Sequence, residues 1–169
     1  MDAYVKLASD SLEYYLEHQK YMKVPEGLPL EMLNKRAGVF VSLKKDGQLR
    51  GCIGTIESVR DSIAEEIIRN AVSAGIGDPR FFQVSKNEFS NLDISVDVLG
   101  ESFPVTDISI LDAKRYGVIV SLGGRKGLLL PNLEGVETPE EQIDIALDKA
   151  GISEIEDYEL AAFEVVRHY

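Results

Sequence analysis

Val39, Phe40, Val41 and Leu43 form a β-rich run that ends at Asp46-Gly47, and β character resumes from Leu49 to Ile56. An Asp-Gly pair accepts the positive φ values that a tight hairpin turn demands, so this stretch predicts two antiparallel strands. A second hairpin is predicted for residues 117–122 and 127–130, around Gly123-Gly124-Arg125-Lys126. Leu92, Ile94, Val96 and Val98 alternate with Asp93, Ser95 and Asp97, the pattern of a half-exposed antiparallel strand with a solvated polar face.

Helical spacing separates these strands. Asp2 caps a helix whose apolar face carries Tyr4, Ala8, Leu12, Tyr15 and Leu16, and residues 20–30, broken by Pro25, Gly27 and Pro29, read as an extended connection. Ser58 or Asp61 opens a second helix, lined by Ile63, Ile67, Ala71 and Ala74 and stopped by Gly75 and Gly77. Thr138, Pro139 and Glu141 form a capping box for a third, which Gly151 closes. Residues 158–166 predict one last strand. No internal sequence repeat accompanies this order of elements. Hairpins with helices between them predict an α+β fold, mostly antiparallel sheet with flanking helices, in one two-lobed domain over residues 1–169.

Charge narrows the partners. The formal net charge of −11 repels phosphate backbones and anionic lipid, so nucleic acid is disfavoured, and no apolar run is long enough to span a bilayer. The N-terminal residues show no export signal, and Cys52, the only cysteine, cannot form an internal disulfide, so a cytoplasmic setting is expected. One cysteine and two histidines, His18 and His168, do not make a cysteine-rich or histidine-rich metal centre, and no cofactor is expected.

Leu49-Arg50-Gly51-Cys52-Ile53-Gly54-Thr55 is unusual for a strand, because its two glycines weaken pairing and leave nothing to pack. Strict alternation puts Arg50, Cys52 and Gly54 on one face and Leu49, Gly51 and Ile53 on the other. A guanidinium beside a thiol favours the thiolate, and bare backbone lets a ligand approach, which suits a nucleophile or an anion platform. On the residues alone the structural alternative weighs more: Cys52 as a small buried apolar residue, with the glycines serving a bulge or a crossing of backbones. A thiol nucleophile also wants a base, and only His18 and His168 are available. Asp78 and Arg80 form either a ligand-orienting pair or a loop-bracing salt bridge. Gly123-Gly124-Arg125-Lys126-Gly127 lacks phosphate-loop spacing and reads as a hairpin turn.

Taken in order, AGVFVSL, LRGCIGT, DPRF, YGVIV and GLLLPN closely resemble the AMMECR-type domain, over nearly the whole chain. The resemblance implies a two-lobed α+β protein similar to protein A of the AmmeMemoRadiSam system, with a Memo-like protein and a radical SAM protein as partners. It carries Arg50, Gly51, Cys52, Ile53 and Gly54 as one motif and Asp78, Pro79, Arg80 and Phe81 as another. The chain departs from the family pattern at Phe82-Gln83, where prolines are common, and at Glu137-Thr138-Pro139, where a Gly-Trp pair is common.

Two functional readings follow. In the first, the chain is an enzyme or enzyme component that binds a small polar or anionic substrate in a cleft around Arg50-Gly51-Cys52. Cys52 and Arg50 act there, and Gly51, Ile53, Gly54, Asp78 and Arg80 line the site. In the second, the same surface docks a Memo-like or radical SAM partner without catalysis. A role in RNA or nucleotide modification is a weaker third, opposed by the charge.

Overall fold

The computed structural model describes all residues from Met1 to Tyr169, which gather into two compact units. Unit 1 comprises residues 1–99 with 166–169, and unit 2 comprises residues 100–165. The architecture is α+β, with antiparallel sheets flanked by helices.

Unit 1 begins with α1 (Ala3–His18), whose first turn is tied by the Asp2 carboxylate accepting from the Tyr4 and Val5 amides at 2.7 and 3.3 Å. A short α2 (Leu30–Asn34), not expected from the sequence, follows the extended connection and buries Met32. Strands β1 (Val39–Lys45) and β2 (Gln48–Gly54) form the first hairpin, with Asp46 and Gly47 both at positive φ in its turn. Helix α3 (Ile63–Ile76) is capped by Ser62, not Ser58 or Asp61, because the Ser62 hydroxyl accepts from the Glu65 amide. Gly75 sits inside α3, where an added methyl would strike the Leu12 side chain, so its role is close packing of α1 on α3; Gly77 is the C-cap. With β3 (Leu92–Leu99) and a C-terminal strand, β8 (Val165–His168), the sheet order is β2-β1-β3-β8. Val39, Val41, Leu43 and Val96 pack from one face of this sheet against Leu7, Ala8, Leu12, Ile67 and Ala71 of the helices.

Unit 2 repeats the plan. Strands β5 (Gly117–Leu122) and β6 (Arg125–Leu129) form a hairpin over Gly123-Gly124, and α4 (Pro139–Ala150) follows, capped by Thr138 and closed by Gly151 at φ +69°. Strand β7 (Glu159–Phe163) pairs with β5, and the two-residue β4 (Phe103–Pro104) completes the order β4-β7-β5-β6. Ile143, Ala146 and Leu147 of α4 cover Val118, Val120 and Leu129.

Each unit is thus a hairpin, a helix and a third strand that pairs with the first strand of its hairpin. The fourth strand is exchanged along the chain: β4 follows β3 but joins the second sheet, and β8 follows β7 but joins the first. The tail is therefore two strands divided at Glu164, not one. No helix is long and apolar enough to cross a membrane.

Candidate functional site

The two hairpins can be laid over each other from their turns outward. In the second, Leu122 faces Arg125, Ser121 faces Lys126 and Val120 faces Gly127 without interruption. In the first, Lys45 faces Gln48 and Lys44 faces Leu49, but Leu43 faces Gly51. Arg50 is the extra residue of a β-bulge, and the alternation expected through residues 49–54 breaks at it. The bulge redirects Arg50. Its guanidinium donates to the carbonyls of Phe82 and Gln83 at 2.8 and 3.3 Å and to both carboxylate oxygens of Glu88 at 2.8 and 3.2 Å. Lys45 adds a third cationic contact to Glu88 at 3.1 Å. The hydrogen bonds from Arg50, then that from the Ser85 amide and that from Lys45, hold the Glu88 carboxyl down at about 2 against desolvation. Arg50 is a clamp on residues 82–88, and no contact brings it to the Cys52 thiol.

Gly51 and Gly54 are filled by the protein itself. Gly51 faces α3, and a methyl there would overlap the carbonyl oxygen of Ala74; at the matching place in unit 2, a methyl on Gly127 would overlap the carbonyl oxygen of Ala146. Both glycines let a helix backbone lie directly on a strand. A methyl on Gly54 would strike the ring of Phe40, its cross-strand partner, and Ile53 packs against the core of unit 1.

Asp78 and Arg80 close the open edge of β2. The Asp78 carboxylate accepts from the Cys52 amide at 3.0 Å, and Arg80 donates from Nη2 to the Cys52 carbonyl at 3.3 Å. Arg80 also grips Asp78 through Nε and Nη2, at 3.0 and 2.8 Å. Two side chains so do what a neighbouring strand would do, and the edge cannot recruit another chain at this point. The Arg80 hydrogen bonds, helped by the Cys52 and Arg80 amides, take Asp78 down to about 2 despite its burial. The pair is loop-bracing, and it also places a guanidinium at Cys52.

Past the bulge, Cys52 points away from α3, on the face it shares with Ser42 and Ser95. The Ser42 Oγ lies 3.3 Å from the Cys52 Sγ, and the thiol is half-buried. Arg167 of β8 binds Asp97 on both oxygens, at 2.7 and 2.8 Å. Asp97 is 3% exposed, so the polar face of β3 is not solvated at this residue. Arg80 and Arg167 are both raised above the usual guanidinium range, chiefly by their carboxylate partners, and each also feels the charge of Cys52. The group assembled around the thiol is Ser42, Arg80 and Arg167, with Asp78 and Asp97 holding the two guanidinia.

Ser42, Glu88, Asp97 and Arg167 were not legible as site residues. Alternation puts Asp97 on the polar face of its strand, but nothing local pairs it with a residue seventy positions away. Neither histidine reaches the thiol: His168 bonds Asp2 at 2.8 Å and stacks on Tyr4 of α1, and His18 tilts against Tyr14. Gly123-Gly124 forms a hairpin turn, as its spacing suggested. No three His, Cys, Asp or Glu side chains gather in a way that could hold a metal ion.

Comparison with known proteins now adds to this geometry. The sequence model of the AMMECR1 family matches residues 5–168. A Clostridium acetobutylicum protein is 56% identical over 168 residues, covering 99% of this chain and 36% of its own length. This chain therefore spans about a third of that relative. A Thermotoga maritima protein is 48% identical over 167 residues, covering 98% of this chain and 96% of its own length. Among solved structures, a crystal structure of a Pyrococcus horikoshii protein superposes with a TM-score of 0.90 at 30% identity, covering 97% of this chain and 88% of that one.

Proposed function

This chain belongs to the AMMECR1 family, and from that premise we propose that it is an enzyme, or the substrate-holding part of one, that takes a small polar or anionic molecule against Cys52. What supports the reading is the grouping of a half-buried thiol with the Ser42 hydroxyl and two guanidinia, Arg80 and Arg167. Each guanidinium is oriented by a buried carboxylate, so little side-chain freedom is lost when a ligand arrives. Arg80 commits Nε and Nη2 to Asp78 and the Cys52 carbonyl, while Nη1 makes no such bond and its side chain is 51% exposed. In this reading Cys52 is the nucleophile, Ser42 shares its proton, and Arg80 and Arg167 hold the charge of the substrate. Arg50 shapes the site through the bulge, and Gly51 and Gly54 let α3 and Phe40 pack close enough to fix the strand. The single cysteine also supports a reducing, cytoplasmic setting.

Competitive alkylation tests this. Iodoacetate, an anion, is expected to label Cys52 faster than neutral iodoacetamide, with the preference falling as salt rises and in Arg80→Gln and Arg167→Gln. Inorganic phosphate is expected to slow both reagents. A thiol inert to both in the folded protein, or one that keeps its reagent preference without either arginine, removes the reading.

The length of the Clostridium relative favours a second reading, a module that works beside a partner such as a Memo-like or radical SAM protein. About two thirds of that relative lies outside the matched part.

A further inference from the structure

Phe82 is 93% exposed, yet the backbone that carries it is tied at several points. Arg50 grips its carbonyl at 2.8 Å and that of Gln83 at 3.3 Å. On one side, the Phe81 amide donates to the Asp78 carbonyl at 3.2 Å; on the other, the Val84 amide donates to the Gly75 carbonyl at 2.8 Å, and the Val84 side chain is buried. An aromatic ring held in water on a fixed backbone gives up little freedom on docking, the condition under which a single side chain dominates an interface.

The charges beside Phe82 are sorted by depth. The carboxylates of Asp78 and Glu88 are turned inward, 2% and 15% exposed, while the Arg80 and Lys45 side chains that pair with them are 51% and 38% exposed. Lys86, on the same segment, is also exposed. A chain of net charge −11 so carries exposed cations on the segment that bears its most exposed aromatic ring and on the strand tied to that segment. Unit 1 carries 13 Lys and Arg against 15 Asp and Glu, and unit 2 carries 5 against 14, so the acidity of the chain lies mainly in the other unit.

We propose that Phe82, with exposed Arg80 and Lys86 on its own segment and Lys45 tied to that segment through Glu88, is the anchor by which this chain docks a protein surface with an apolar socket rimmed by carboxylates. That surface belongs to the counterpart of the segment that the Clostridium acetobutylicum relative carries beyond the matched third of its length. Fusion holds two parts at a high effective concentration, so the contact there need not be strong. Where the parts are separate chains, the contact must supply the affinity itself, and a rigid aromatic anchor with a complementary charged rim is the means. This takes up the partner reading and names its surface; it does not depend on the chemistry of Cys52.

The test replaces Phe82 by the photo-cross-linking residue p-benzoylphenylalanine in the full chain, with the same residue at Ile155, 89% exposed in unit 2, as control. Irradiated in cells of the source organism, position 82 and not 155 is expected to join a peptide that aligns with the extra part of the Clostridium protein. Phe82→Ala is expected to weaken that complex by about 30-fold. Lys86→Glu is expected to slow association and flatten its salt dependence. Neither residue supports the fold, so an unchanged melting curve accompanies both. A cross-link into a second copy of residues 1–169, into nucleic acid, or into nothing overturns the proposal. A partner that co-purifies undiminished with Phe82→Ala overturns this surface while leaving the partner reading in place.

Discussion

A methyl group at position 51 would run into the carbonyl oxygen of Ala74, an atom of helix backbone that cannot swing aside as a side chain can. Gly51→Ala is therefore expected to cost about 3 kcal/mol, read as a lowered urea midpoint with an unchanged slope. Gly124→Ala, at a turn glycine with nothing within 4 Å of the added carbon, is expected to stay within about 0.5 kcal/mol of the parent and serves as control. Glu88 makes a second prediction at this scale, with a sign set by linkage. Its carboxyl lies near 2 in the folded chain against 4.5 otherwise, with the bonds from Arg50 first among the causes. The stabilisation is complete above about 4.5 and is lost as pH falls through about 2. Glu88→Gln is expected to lower stability by about 2 kcal/mol at neutral pH and to converge on the parent as pH falls below about 2, measured by denaturation at both ends of that range. An equal deficit at both would mean that packing, not charge, is what Glu88 supplies.

Between the two hairpins the single difference in register is Arg50; the segment it holds has a counterpart in unit 2, where Arg125 of the unbulged hairpin donates to the Gly151 carbonyl and to both carboxylate oxygens of Glu156. Arg50→Ala is expected to release residues 82–88 while leaving the sheet intact. Hydrogen exchange should speed up at the Ser85 amide, which bonds Glu88, with the β1–β3 ladder keeping its protection. Exchange that quickens along β1 and β2 as well would show the arginine to be part of the sheet, not a clamp on a loop. Much at this scale was legible in the sequence. Asp46-Gly47, the capping box at Thr138 and the alternation from Leu92 to Val98 each declare an element locally, and each is found. The bulge was not, because strict alternation across residues 49–54 counts one residue per step, and only the register against Leu43 and Lys44 shows that Arg50 is supernumerary. The thiol and Arg80 stand out in the sequence as candidate site residues through their motifs. Ser42 and Arg167 do not, since their place beside Cys52 depends on which strands become neighbours, and that is decided by pairing across the chain.

The exchange of fourth strands makes the last residues matter to the first. Strand β8 lies after all of unit 2 in sequence but belongs to the sheet of unit 1. Two of its side chains tie residues far away: Arg167 neutralises Asp97 in the middle of β3, and His168 meets the Asp2 cap and the Tyr4 ring at the start of α1. Arg167→Gln is expected to cost about 3 kcal/mol, because it leaves a buried carboxylate without its ion partner. Asp97→Asn together with Arg167→Gln should recover part of that loss, since no uncompensated charge is then buried. Truncation before Val165 goes further by taking the strand itself. Although the cut adjoins unit 2 in sequence, the expected damage is in unit 1: protection from exchange should fall across α1 and β3 while the β5–β6 hairpin and α4 keep theirs, and urea unfolding should separate into two steps. A truncated chain that loses protection first in β5–β6 and α4 would contradict the exchanged-strand topology as the source of stability in unit 1.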